Sequence, residues 1–374
     1  MHIEPFAVEM WMNAYETECA INLAETCVAS LTLAELVEIA GHDSLTELLP
    51  LRLTYGDIIG SERLRRAIAA LHPGSEPDDV IVCHGTSGAN SLAWQALTGP
   101  GDRVVSLVPT YQQHVSIPES TGAEVIRLRL RNEDWLPDYD ALAAAVTTGT
   151  RVVALTNPNN PTGALIGRAG LERIAEIADR VGAWVLVDEV YRGTAQDHDG
   201  LGPSIAEITP HGISTGGMSK AFSLAGLRLS WVVGPPDVIA AVSRHRDYDT
   251  ISVGRIDDRL AALALESADR ILDRSRRITR ANLALLSDWV DTDPGLSWVR
   301  PMAGTTALVR YDLDMTSERF CLDLLAEEGV LFTPGVALGV EGTVRVGFAN
   351  DPAAMRAGLP KVRAFLERRR RAAA

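Results

Sequence analysis

The sequence predicts an α/β protein with a mainly parallel, buried sheet, followed by a smaller α+β part. From about residue 60, short apolar runs rich in β-branched residues alternate with helix-length amphipathic stretches, and that texture ends near residue 255. Strands buried on both faces read as continuous apolar runs, and strands separated by helices pair in parallel. With 374 residues, 46% of them hydrophobic, the chain is long enough for two domains around a large core.

Taken in order, residues 61–71 predict a helix and 79–83 a strand, followed by a helix over 89–97. Strands are expected at 103–108 and 124–130, a helix at 138–146 and a strand at 151–155. A helix over 171–181 then leads to a strand at 184–188. Pro100-Gly101-Asp102, Gly182 and Pro235-Pro236 punctuate the series as turns. Further on, one long helix is expected over 259–289, strand-like runs at 296–311, 329–332 and 343–349, and a last helix from about Ala353. The expected organisation is an N-terminal segment (1–45) joining a small domain, a large domain (46–260) and the small C-terminal domain (261–374). No internal repeat is present.

The formal net charge of −14 argues against nucleic acid as a main partner, because phosphate binding needs a basic surface. The run Arg368 to Arg371 reads as a solvated helix end suited to the helix dipole; a targeting signal is its alternative. Cys19, Cys27, Cys83 and Cys321 are scattered and suggest neither a zinc site nor a disulfide framework. The eight histidines form no HxxxH or HxH pair, so no metal is assigned. Carboxylates interrupt the first thirty residues and no apolar run reaches membrane-spanning length, so a cytoplasmic protein without a membrane partner is expected.

Four stretches make chemical demands. Asn157-Pro-Asn-Asn160-Pro-Thr-Gly163 follows an apolar strand and is by itself ordinary turn chemistry. In Val185-Leu-Val-Asp188-Glu-Val-Tyr191 a carboxylate ends a strand that should be buried, which is costly unless it is paired. Asp188 could cap the next helix, or pair with a protonated ring nitrogen of a cofactor. Ser214-Thr215-Gly-Gly217-Met-Ser219-Lys220 continues to Arg228; a shielded lysine is a nucleophilic amine, and an arginine offers a fork for phosphate. A surface Lys and Arg beside a glycine turn is the plain alternative. Cys83-His84-Gly85-Thr86-Ser87-Gly88, between a strand and a helix, can cradle an anion with backbone N–H groups and hydroxyls.

Together, in this order, these stretches resemble the fold type I pyridoxal-phosphate enzymes of the aminotransferase class I/II family, over about Tyr55 to Arg345. The resemblance implies an aspartate-aminotransferase-like large domain with a mainly parallel seven-stranded sheet, plus the smaller α+β domain. It also implies pyridoxal 5′-phosphate as cofactor. Lys220 matches the lysine that binds the cofactor as a Schiff base and shuttles the α-proton, with Ser219 beside it. Asp188 matches the partner of the pyridine nitrogen, and Tyr191 and Asn160 the pair that hold the ring's phenolic oxygen. Gly85, Thr86, Ser87 and Arg228 fall in the phosphate cradle, and Tyr111 where an aromatic stacks on the ring. Arg345 matches the arginine that clamps the substrate carboxylate. Tyr55 matches a tyrosine that reaches the partner subunit's phosphate, which implies a homodimer with shared active sites.

Two departures stand out. Gly217 occupies a place where many relatives have a phosphate-binding serine, for which Thr215 or Ser87 could compensate. The segment Asn22-Leu-Ala-Glu25-Thr26-Cys27-Val28 places a carboxylate near the expected pocket mouth. It is similar in style to the capreomycidine synthases and the pyridoxal-phosphate arginine oxidases or hydroxylases, although residues 20–40 lack the histidine that some of those carry. Glu25, with Asp247 and Asp249, could grip a cationic side chain; a surface Glu25 and a solvated loop at 247–249 are the alternatives. The reading is an aminotransferase for an amino acid such as arginine. The alternative is arginine oxidation, hydroxylation, or elimination with cyclisation, on the same cofactor machinery. A regulatory ligand sensor would have little reason to keep Lys220, Asp188 and Arg345 together.

Overall fold

In the computed structural model, which describes residues 2–41, 46 and 48–373, the chain begins with helix α1 (Ala7–Tyr15) and strand β1 (Ile21–Asn22). Helix α2 (Leu33–Ala40) starts at a capping box in which Thr32 and Glu35 satisfy each other's backbone N–H groups. The boundary expected after residue 45 lies outside the described residues. Helix α3 (Glu62–Ala69), capped by Ser61, precedes β2 (Val80–His84) and α4 (Gly85–Leu97). The alternation continues through β3 (Arg103–Val108), α5 (Gln113–Ser120), β4 (Glu124–Arg129), α6 (Tyr139–Ala145) and β5 (Thr150–Thr156). Next come α7 (Arg168–Asp179), β6 (Trp184–Asp188), β7 (Gly212–Gly217), β8 (Leu229–Val233) and α8 (Pro236–Arg246).

Strands β2 to β8 form one sheet of seven in the order β2-β8-β7-β6-β5-β3-β4. The sheet is parallel except for β8, which runs against both its neighbours. Apolar clusters cover both faces, Val105, Val153 and Val185 on one and Val104, Val152 and Leu186 on the other. This double burial is why these strands read as unbroken apolar runs. Two strands of the sheet, β7 and β8, were not expected; β7 is hidden because Gly-Ile-Ser-Thr-Gly-Gly is buried but mostly polar or small, whereas β8 is a short apolar run.

The single helix expected over 259–289 is two, α9 (Arg255–Leu265) and α10 (Ala268–Asp291), with a turn at Glu266 and Ser267. The turn lets α9 pack with α3 against the large sheet while the distal part of α10 joins a separate core around Phe320, Phe332 and Phe365. The run 296–311 also divides, into β9 (Leu296–Trp298) and β10 (Thr306–Tyr311). Pro301 and Gly304, at φ +77°, turn the chain between them. Helix α11 (Ser317–Glu328) ends at left-handed Gly329. Then follow β11 (Val330–Leu331), β12 (Thr333–Pro334), β13 (Thr343–Gly347) and α12 (Pro352–Ala373). Strands β12-β13-β10-β9 form an antiparallel sheet, and β1 pairs in parallel with β11, so the N-terminal segment is stitched to the C-terminal part. The arginines at the end of α12 pair with Glu327, Glu328, Asp293 and Asp312. Among the described residues no helix is long and apolar enough to cross a membrane.

Candidate active site

Open parallel sheets bind ligands beyond the carboxyl ends of their strands, where loops and helix N-termini converge. Here the loops after β2, β3, β5, β6 and β7, together with Arg228 at the start of the antiparallel β8, meet around a cavity of about 460 Å³. Volume of this order suits a small cofactor and its substrate.

At one end lies an anion cradle. Gly85 opens α4 at φ +60°, and a Cβ there would meet the Arg228 guanidinium at 2.5 Å, so glycine is required on steric grounds as well. Arg228 itself is left-handed at φ +47°, and its Nη1 donates to Ala225 O at 3.0 Å and Ser219 Oγ at 3.4 Å. The Thr86 hydroxyl is buried and has no partner, a donor in want of an acceptor. A Cβ at Gly217 would come within 2.5 Å of that hydroxyl. Gly217 therefore leaves room for Thr86, which faces the place a serine at 217 would have served. Thr215 does not compensate: its hydroxyl donates to Asn90 Oδ1 at 2.6 Å.

At the floor stands Asp188. Its Oδ2 accepts from Asn90 Nδ2 at 2.9 Å and its Oδ1 from the Val190 N–H at 3.1 Å, while His114 Nε2 lies 3.9 Å away. The carboxylate is buried within this network, so it is held in one orientation facing the cavity, which it lines. Asn90 and His114 escape sequence reasoning because their link to Asp188 spans 98 and 74 residues; the one local signal is that Asn90 falls one helical turn after Ser87.

The opposite wall carries Tyr191, Asn160 and Arg345. Asn160 Nδ2 donates to the Tyr191 hydroxyl at 3.4 Å, and Arg345 Nη1 donates to Asn160 Oδ1 at 3.2 Å. Arg345 Nη2 donates to Thr333 Oγ1 at 3.1 Å, whereas its buried Nε has no partner. Burial weakens the guanidinium's hold on its proton, opposed by Tyr191, Glu9 and Glu25. Burial likewise pushes the Tyr191 phenol up, against the pull of Lys220 and Arg345. Tyr111 lines the cavity with its ring 4.8 Å from that of Phe6, and its hydroxyl donates to Glu9 Oε1 at 2.9 Å.

Lys220 Nζ donates to Thr26 Oγ1 at 2.7 Å and Cys27 Sγ at 3.3 Å. Burial would strip its proton, but Cys27, Tyr191 and Glu25 outweigh that and hold the group above the ordinary lysine range. Glu25 does face the cavity, although its Oε1 is engaged by the N–H groups of Thr26 and Cys27. Burial would raise its carboxyl; Lys220 and those N–H groups prevail and lower it. Glu9 and Glu16, from α1 and its end, line the same cavity and had no distinguishing signal in the sequence.

Three expected residues lie elsewhere. Asp247 and Asp249 are exposed at the end of α8 and in the turn after it, and neither lines the cavity. The reason is Arg246, whose buried guanidinium donates to Val82 O at 2.7 Å and fixes the helix end, so the following turn points outward. Tyr55 is 78% exposed, also outside the cavity.

The residues fit pyridoxal phosphate: a phosphate cradle with an unpaired hydroxyl and a guanidinium, a buried carboxylate, an aromatic wall and an amine converge on one space. A family model described as aminotransferase class I and II matches residues 31–360. A capreomycidine synthase of Streptomyces vinaceus is 31% identical over 363 residues, 95% of this chain and 92% of that protein. An arginine–pyruvate transaminase of Pseudomonas aeruginosa is 30% identical, covering 78% of this chain and 77% of that protein. The crystal structure of a PLP-dependent aminotransferase from Streptococcus suis superposes with a TM-score of 0.95 at 40% identity, over 99% of both chains.

Proposed function

The chain belongs to the class I and II aminotransferase family, has the aspartate-aminotransferase fold and is a pyridoxal-phosphate enzyme, and from that premise we propose that it moves the α-amino group of a cationic amino acid, arginine or a close relative, to a keto acid. The observation that carries the substrate class is the cavity's charge. Its cations are Lys220, Arg228 and Arg345, all of which the cofactor and the substrate's α-carboxylate would occupy, while Glu9, Glu16 and Glu25 remain for a side chain. A dicarboxylic substrate would need a further cation and would meet these carboxylates instead. The similarity to an arginine–pyruvate transaminase supports the same choice.

Bound in the cradle, pyridoxal phosphate supplies an electron sink that makes the α-hydrogen of an amino acid acidic. Thr86, Ser87, Gly85 and Arg228 bind its phosphate, Tyr111 covers the ring, and Asp188 holds a proton at the ring nitrogen. Asn160 and Tyr191 orient the phenolic oxygen. Arg345 would grip the substrate carboxylate, and Lys220, once its amine is free, would take the α-proton. In this reading residues 46–260 form the cofactor-binding domain, 261–374 the smaller one, and 1–45 joins the latter, with the boundary expected at 260 displaced past α9, whose Leu263 and Leu265 share the large-sheet core.

The assembly is a homodimer in this proposal. Leu53 (76% exposed), Tyr55 and Ile256 (43% exposed) sit on neighbouring segments linked by Arg255, whose Nη1 donates to Arg52 O at 2.8 Å. Large apolar side chains exposed together mark a surface to be covered. Light scattering is expected to give twice the chain mass, and Tyr55→Phe to weaken pyridoxal-phosphate binding about tenfold through loss of a phosphate hydrogen bond. A fully active monomer would remove Tyr55 from the site.

The substrate class is tested by incubating the holoenzyme with L-arginine and pyruvate and measuring alanine. Glu9→Gln and Glu25→Gln are each expected to lower kcat/KM for arginine about tenfold and to leave the neutral isostere citrulline nearly unaffected. Equal losses on both substrates, or faster turnover of aspartate than of arginine, would defeat the cationic reading. A second reading, elimination from the side chain with ring closure, is favoured by the match to capreomycidine synthase along nearly all of both chains. It predicts that an arginine bearing a β-hydroxyl, which leaves as water while a guanidine nitrogen closes the ring on the β-carbon, is consumed without alanine being formed.

A further inference from the structure

The loop that meets Lys220 is fixed from several sides. Asn22 Oδ1 accepts from the N–H groups of Ala24 (2.9 Å) and Glu25 (3.1 Å), and Asn350 Nδ2 donates to Asn22 O at 3.0 Å. Gly347 N donates to Leu23 O at 2.7 Å, and any side chain at 347 would overlap the Glu25 carbonyl. Thr305 Oγ1 donates to Thr26 O at 2.8 Å, and Glu25 Oε1 ties down the N–H groups of Thr26 and Cys27. Nearly every peptide group from Leu23 to Cys27 thus has a partner, and two side chains are left pointing at one amine. A segment held this firmly presents its side chains at defined points instead of letting them drift with solvent.

We propose that Thr26 and Cys27 are positioning residues for Lys220: they hold its uncombined ε-amine at one point of the cavity, ready to join a carbonyl carbon. The chemistry requires such a station, because an unheld lysine carries about 2 kcal/mol of rotamer entropy, lost again at each capture. Lys220 rests there as an ammonium, and a hydroxyl and a thiol suit the task because each accepts one N–H and leaves the third free to be released to solvent before the amine attacks from the same point. The Thr26 hydroxyl also meets the Tyr191 phenol, linking the amine to the wall that carries Asn160 and Arg345. Neither residue belongs to the phosphate cradle or to the Asp188 network, so the two functions are separable.

This inference rests on Lys220 as the cofactor lysine and not on the identity of the substrate, and its test uses no amino acid. The full chain is stripped of cofactor and mixed with pyridoxal phosphate, and the rise of visible absorbance reports capture, in which amine and aldehyde join with loss of one water. Binding of pyridoxamine phosphate, which has no aldehyde, is measured in parallel as a report on the cradle and the fold. The double variant Thr26→Val, Cys27→Ala is expected to capture about tenfold more slowly, with pyridoxamine phosphate affinity unchanged. Cys27→Ser, which keeps an acceptor, is expected to restore most of the rate relative to Cys27→Ala. Capture by the double variant at the wild-type rate overturns the proposal, as does a parallel loss of pyridoxamine phosphate affinity, which would mark the loop as merely structural. Absence of any visible band from the wild-type chain would instead remove Lys220, and this inference with it.

Discussion

Replacing Lys220 with alanine is expected to abolish the visible absorbance of bound pyridoxal phosphate and to lower turnover by at least about 10⁴-fold. Lys220 is the amine of the cavity, and no other lysine lines it among the described residues. Deleting it removes both the covalent hold on the cofactor and the base at the substrate's α-carbon, and losses of residues that act in successive steps exceed those of a single contact. Binding of the cofactor should survive, because Thr86, Arg228 and Asp188 do not depend on the amine: the contacts of Arg228 and Asp188 run to Ser219, Ala225, Asn90 and Val190. The absorbance spectrum checks this directly, with added methylamine as a partial substitute for the missing group. A variant that kept the visible band and its turnover would show that another residue is the cofactor lysine.

The cofactor half of this site was legible because each of its residues sits within a short motif at the end of a strand. Thr86 follows β2, Asp188 ends β6 and Lys220 follows β7, so chain order alone places them along one sheet edge. The wall built by the N-terminal segment was legible only at Glu25, because that segment reaches the cavity through contacts distant in the chain, such as the pairing of β1 with β11 more than three hundred residues later. Glu9 and Glu16 look like any carboxylates on an amphipathic helix, and nothing local to Cys27 announces that a lysine lies against it. The charge of Asp249 makes it a candidate beside the alternative of a solvated loop; the buried Arg246 that turns its loop outward has no signature in a sequence. The same limit hid the break between α9 and α10, where two cores, and no proline or glycine, decide where the helix ends.

Arg345→Ala is expected to lower kcat/KM by about two to three orders of magnitude for every amino acid tested, with the cofactor's absorbance unchanged. The guanidinium is buried, with Nη1 on Asn160, Nη2 on Thr333 and Nε unpartnered, so a carboxylate arriving in the cavity meets a fork that is already aimed. Removing one partner of a buried, hydrogen-bonded charge pair costs about 2–5 kcal/mol, and 1.4 kcal/mol is about tenfold. Arg345→Lys should recover only part of this, because a point charge cannot reproduce two parallel hydrogen bonds and would leave the Asn160 and Thr333 oxygens competing for one ammonium. The distinguishing measurement is the comparison of arginine with its decarboxylated analogue agmatine. Wild type should bind arginine far more tightly, and Arg345→Ala should bring the two close together, since agmatine has no carboxylate to lose. If the variant weakened both ligands equally, Arg345 would be holding the wall formed by Asn160 and Tyr191 instead of the substrate. The carboxylate clamp would then have to be sought elsewhere in the cavity, with Arg228 as the remaining guanidinium among the described lining residues.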